Sequence, residues 1–202
     1  RQEQVMQTAR QLANRQISKT DFHDDAEAMV VEFPEVIANT WINANGQVLT
    51  TYSSASQTLP ELKKSGERVN NPEMKNTFAL AKELRQPVFS APMTRQGNGN
   101  DLTARIHLMV PILERNQFQG AISVTYNLEG LLRYAVPPEI NARLAMSIVD
   151  AQGKLLAGLQ SAQRSRLMAW LPFDAAEGNY RIAISPVGNS LWLHAQPYRT
   201  SE

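Results

Sequence analysis

Apolar and polar residues alternate with period two along 104–112. Ile106, Leu108, Val110 and Ile112 share one face, and Arg105, His107 and Met109 the other. This is the pattern of a strand between two environments, one plain core and the other a polar floor. After a polar turn, Ala121 to Tyr126 is rich in β-branched residues interleaved with Ser123 and Thr125, so the whole stretch predicts a long β-hairpin. Asn127 is placed to cap a short helix over 128–134. Register matters here. A slip of one residue turns Ser123 and Thr125 to the face opposite His107.

Upstream the period changes. Val5, Ala9 and Leu12 recur at helical spacing and predict an amphipathic helix from residue 1 to about 18. A second helix is expected over 22–33, with Asp21 as cap, Phe22, Ala26, Met29, Val30 and Phe33 on one side, and Pro34 as the stop. Asn45-Gly46 between β-rich runs predicts a hairpin over 36–51. A Ser-rich loop follows over 53–60, then a charged segment over 59–69 read as loop with some helix. Asn71-Pro72 opens a third helix, with Asn as cap and Pro in the first turn, ended by Pro87. A strand over 88–94 and a Gly/Asn loop over 97–100 lead back to the long hairpin. That loop lies between strands with no helix start after it, so it lacks phosphate-binding geometry.

Val136-Pro137-Pro138 marks a change of character. Beyond it, short strands are expected over 144–149, 154–157, 167–171, 180–185 and 191–198, with Gly-containing turns between them. One internal echo links the two parts. Trp41-Ile-Asn-Ala-Asn-Gly-Gln-Val-Leu-Thr50 aligns without a gap on Ile148-Val-Asp-Ala-Gln-Gly-Lys-Leu-Leu-Ala157. Turn chemistry alone favours Asn/Asp and Gly at such positions, but the shared flanking apolar residues suggest two copies of one fold.

Composition narrows the choice of function. With 202 residues, 43% of them hydrophobic, the chain has material for one sizeable core or two small ones. Twenty basic and 19 acidic residues leave a net charge of +1, so no global field points to nucleic acid or an anionic membrane. The absence of cysteine removes disulfides, thiolate catalysis and Cys-ligated metals. No window reaches the roughly 18 apolar residues of a membrane span. The start at Arg1 rather than Met is read as a piece of a longer protein.

Candidate chemistry is sparse. His23, His107 and His194 are far apart, and no zincin, nucleophile-elbow or Walker motif occurs, so no catalytic residues are assigned. His23, Asp24 and Asp25 are consecutive on a helix and point in different directions, so no metal site is assigned either. Arg105 and His107 are the notable pair. A cation on a loop-covered sheet face is costly unless an anion pairs with it, and a small carboxylate would supply that anion. On a wet face, Arg105 would merely extend to solvent.

The run Pro111-Ile-Leu-Glu-Arg-Asn-Gln-Phe-Gln-Gly120-Ala-Ile-Ser-Val124, followed by Asn127-Leu-Glu-Gly-Leu-Leu132, resembles the last two strands and exit helix of Cache domains. These are PAS-like extracytoplasmic sensors of bacterial histidine kinases and chemoreceptors. The resemblance implies an α+β fold, a tandem PAS-like (double Cache) sensor with a long N-terminal helix, central antiparallel sheets and a reduced second domain. Residues 1–35 would be helices packed on the module, 36–137 the membrane-distal domain with the ligand pocket, and 138–202 the smaller membrane-proximal domain. The lining it implies is Trp41 on the first strand, Phe89 and Ser90 on the third, Arg105, His107 and Met109 on the fourth, and Ser123 and Thr125 on the fifth.

In the family, amine and amino-acid binders commonly carry an acid near the position of Thr125, and dicarboxylate sensors a base. Thr125 is neither, which argues against a cationic amine and leaves an acid ligand to Arg105 or His107. The stretch Leu128-Glu-Gly-Leu-Leu-Arg-Tyr-Ala-Val-Pro-Pro138 looks most like that of C4-dicarboxylate sensor kinases. The expected function is therefore periplasmic sensing of a small organic acid for a two-component histidine kinase. It would need no cofactor, metal or nucleic acid, and would be homodimeric, with transmembrane helices flanking this region. The alternatives are a ligand-free structural or interaction module of the same fold, or the sensor region of a chemoreceptor or cyclic-dinucleotide enzyme.

Overall fold

The computed structural model describes residues 2–14, 18–54, 65–96, 102–159, 180–183 and 191–197. The chain divides into two compact units, 1–93 with 105–127, and 94–104 with 128–202. Three of the expectations fall outside the described residues: most of the Ser-rich loop, the Gly/Asn loop over 97–100, and the strand over 167–171.

The first unit opens with α1 (Gln2–Ala13) and α2 (Lys19–Glu32). Helix α1 buries Val5, Ala9, Leu12 and Ala13, the stripe that its periodicity picks out. Helix α2 starts earlier than expected. Ser18 is its cap, accepting from Asp21 N at 3.2 Å, while Asp21 Oδ2 accepts from Ser18 N at 2.7 Å. Asp21 is thus the reciprocal partner of a capping box and not the cap itself.

Strands β1 (Val36–Asn43) and β2 (Val48–Ser53) form the first hairpin. Helix α3 (Pro72–Leu84) begins as expected, with Asn71 Oδ1 accepting from Met74 N at 3.0 Å and Pro72 in the first turn. The strand expected over 88–94 is broken into β3 (Val88–Phe89) and β4 (Met93–Gln96). Pro92, which has no N–H for the ladder, lies in the gap. Strands β5 (Leu102–Glu114) and β6 (Gln117–Asn127) are the long hairpin, turning at Arg115 and Asn116 with both φ positive, a type I′ pattern. The sheet order is β2-β1-β6-β5-β3, with β4 pairing with β5.

This sheet has two covered faces. On one, α1 and α2 pack over Asn39, Trp41 and Ile122, with the Phe22 and Trp41 rings 5.8 Å apart. On the other, α3 packs over Ile42, Met109 and Ala121 in a cluster completed by Met74, Ala81 and Val48. Full burial of side chains of this size contributes roughly 1.5–3 kcal/mol each, which makes α3 a firm lid over its half of the face. The described part of the charged segment, 65–69, is not helical: a turn at Ser65 and Gly66 leads to an isolated antiparallel bridge between Arg68 and Gln47. Val48 N donates to Glu67 O at 2.9 Å, and Val69 N to Gly46 O at 3.0 Å.

In the second unit, α4 (Leu128–Ala135) and α5 (Pro138–Asn141) precede a sheet of order β8-β7-β10-β9. Its strands are β7 (Leu144–Val149), β8 (Leu155–Leu159), β9 (Tyr180–Ala183) and β10 (Trp192–Pro197). Because α4 packs on β7 and β8, the C-terminal stretch of this unit begins at Leu128, ahead of the Pro137-Pro138 pair expected to mark the boundary.

The internal echo is structural. Asn43 Oδ1 accepts from the backbone N–H groups of Asn45 and Gln47, and Asp150 Oδ1 from those of Gln152 and Lys154. Gly46 and Gly153 take positive φ of 76° and 81° at equivalent places. Each turn opens its own sheet, and the described strand order of the second sheet repeats the first four positions of the first.

Candidate functional site

Pairing between β5 and β6 decides which side chains meet. His107 is opposite Thr125 and Met109 opposite Ser123, while β1 brings Thr40 beside Ser123 and Ala38 beside Thr125. Arg105, opposite Asn127, ends the same row of alternate residues. Arg105, His107, Met109, Ser123 and Thr125 therefore share the α3 face of the sheet. The half under α3 is apolar. Along the strands toward Arg105 the floor becomes polar, and none of its five residues is more than 7% exposed.

The polar floor is braced locally. Thr125 Oγ1 lies 2.8 Å from His107 Nδ1. Ser90 holds the His107 backbone twice, donating its N–H to His107 O at 2.8 Å and accepting from His107 N on Oγ at 2.9 Å. The Ser90 hydroxyl hydrogen goes to Ala91 O at 2.8 Å, so this side chain acts as a backbone clamp. Thr40 Oγ1 accepts from Thr51 Oγ1 at 3.2 Å. Ser123 Oγ is buried and finds no partner among the described residues.

Two residues expected in the lining lie elsewhere. Trp41 pairs with Ile122 and Phe89 with Leu108, which puts both on the opposite face. The reason is parity. Phe89 adjoins Ser90 on one strand, and neighbouring residues on a strand point to opposite sides. Trp41 instead packs on Phe22 of α2.

No known family's sequence profile matches the chain, and no curated protein does. Solved structures do match it. The ligand-binding domain of the Pseudomonas aeruginosa amino-acid chemoreceptor PctC, solved with GABA, is similar over 96% of this chain and 88% of that one, with 14% identity and a TM-score of 0.56. The ligand-binding domain of the Campylobacter jejuni chemoreceptor Tlp3, solved with L-valine, is similar over 97% and 83%, at 10% identity and a TM-score of 0.56. The extracellular domain of the histidine kinase vpHK1S-Z8 is similar over 89% and 78%, at 13% identity and a TM-score of 0.60. The chain has the Cache fold.

Within this Cache fold, Glu35 is a residue that the sequence pattern does not single out. It sits in the turn entering β1, is fully buried, and accepts from Asn127 N on its backbone oxygen at 2.9 Å. It thereby adjoins the Asn127 and Arg105 end of the row. A turn position after a helix stop carries no period, so only the β1 pairing reveals it. Thr40 was hidden in the same way, inside a strand whose apolar and polar residues do not alternate.

Proposed function

We propose that this Cache chain is the periplasmic sensor region of a membrane histidine kinase, binding a small organic acid on the α3 face of its first unit. The observation that carries the reading is the buried polar floor of Arg105, His107, Ser123 and Thr125 on one face of the sheet. A carboxylate accepts hydrogen bonds from a guanidinium, an imidazole N–H and a hydroxyl alike, so one small anion can engage several members of this floor. Ser123 Oγ, with no partner among the described residues, is a donor suited to it. A four-carbon dicarboxylate is the class we favour, since no acid stands at Thr125. Signalling follows if the ligand binds two conformations unequally, so that occupancy shifts their populations. In this reading transmembrane helices flank the region, the full-length protein is a homodimer, and catalysis belongs to a kinase domain elsewhere in it.

A second reading is an amino acid as ligand, because similar structures were solved with GABA and with L-valine.

Thermal denaturation with succinate, malate, GABA or L-valine tests both readings on the unmodified chain, Arg105→Ala and His107→Ala. A ligand at about 100 times its Kd adds about 2.7 kcal/mol to stability. Succinate or malate is expected to raise the Tm of the unmodified chain and to lose that effect in Arg105→Ala. A response to GABA or L-valine alone transfers the conclusion to the second reading. No response to any of them overturns ligand sensing by this face.

A further inference from the structure

The floor of the first unit continues past His107 and Thr125. Thr51 on β2, Thr40 on β1, Ser123 on β6 and Met109 on β5 form the next rung, each directly opposite the one after it. Residues two apart on a strand point the same way and lie about 7 Å apart, so this rung is on the same face, one step beyond His107 and two beyond Arg105. Thr40 and Ser123 are 1% and 0% exposed.

The rung is polar but uncharged. Thr51 Oγ1 donates to Thr40 Oγ1 at 3.2 Å, which spends the single hydroxyl hydrogen of Thr51 and leaves Thr40 its own. Beside it, Ser123 Oγ finds no partner among the described residues, so it has both a hydrogen to give and lone pairs to fill. Met109 ends the polar part of the rung with a thioether packed into the apolar cluster under α3. A carboxylate set on this rung would give up its hydration with no counter-charge beside it, whereas a neutral hydroxyl pays far less. Because a hydroxyl donates and accepts at once, two of them complement a third.

We propose that Ser123 and Thr40 select for a hydroxyl group on the ligand, so that the acid is a 2-hydroxy dicarboxylate; this rests on the acid-sensing reading above and narrows it. Arg105 and His107, two residues apart and so about 7 Å along β5, suit the two carboxylates of a four-carbon chain. A hydroxyl on the carbon next to the carboxylate at His107 then reaches one rung further, to Ser123 and Thr40. Burial supplies the discrimination. A ligand lacking that hydroxyl leaves both side chains unmatched away from water, and sites built to bond a substrate hydroxyl reject the analogue without it more strongly than they reject a missing methylene. Thr51 is a positioning residue, since its bond orients the Thr40 hydroxyl.

Calorimetric titration of the unmodified chain, Ser123→Ala and Thr40→Val with L-malate and with succinate tests this. The unmodified chain is expected to bind L-malate at least about tenfold tighter than succinate. In each variant L-malate should weaken by about fivefold or more while succinate changes by less than about twofold, so that the preference collapses. Ser123→Ala deletes a buried hydroxyl without a partner among the described residues, so its Tm in the absence of ligand should not fall. Succinate binding as tightly as L-malate, a malate preference undiminished in either variant, or an early-melting Ser123→Ala chain overturns the hydroxyl assignment and leaves acid sensing standing. Binding of neither acid overturns both.

Discussion

His107 Nδ1 and Thr125 Oγ1 lie 2.8 Å apart at directly opposed positions of β5 and β6, and neither side chain has any exposure. A polar contact this deep is valuable mainly because losing one partner leaves the other desolvated. It also orients the imidazole.

Thr125→Val keeps the shape and removes the hydroxyl. Denaturant unfolding is expected to show a loss of about 1–3 kcal/mol, with Thr125→Ser recovering most of it. Equal stability for the valine variant would mean that the contact contributes nothing.

Gly120 is required by geometry. Its φ is +147°, and a Cβ there would stand 2.2 Å from Ile42 O and 3.1 Å from Asn43 Cα, both backbone atoms of the neighbouring strand. Gly120→Ala is expected to destabilise by at least about 1–3 kcal/mol, through strain and forced separation of β1 from β6. Gly158→Ala is the control. Its Cβ would meet its nearest neighbours at an ordinary 3.8 Å, and its unfolding midpoint should hardly move.

The capping box gives a signed pH dependence. Hydrogen bonds from the Ser18 backbone and then its side chain hold the Asp21 carboxyl below its usual value of 3.8. A group with a depressed folded-state pKa contributes stability that is present above its unfolded pKa and lost as pH falls through the folded one. The Tm difference between the unmodified chain and Asp21→Asn should therefore be constant near neutrality and shrink below about pH 4. A difference that grows on acidification would refute this. Ser18→Ala should cost about 1 kcal/mol.

The paired turns predict paired effects. Asn43→Ala and Asp150→Ala each delete two side chain to backbone hydrogen bonds, so each should lose about 1–3 kcal/mol, at about 0.5–1.5 per bond. Asp150→Asn keeps the acceptor and should retain most of its stability. A response at only one of the two turns would show that they are not equivalent in energy.

What the chain determined by itself is local. The stripe of Val5, Ala9 and Leu12 needed a buried helix face, Asn71-Pro72 a helix start, and the alternation from Arg105 to Ile112 a two-faced strand, because each signal acts over a few residues. The echo around Gly46 and Gly153 was legible for the same reason, since a turn is a short-range object. Tertiary structure decided what faces what. Only pairing to β6 put His107 with Thr125 and Met109 with Ser123, and sent Trp41 and Phe89 to the helix side, because one residue of register reverses every side chain on a strand. Glu35 and Thr40 acquired their meaning the same way. A buried polar residue in a turn or strand has no periodic signature, and its surroundings exist only once distant segments have packed around it.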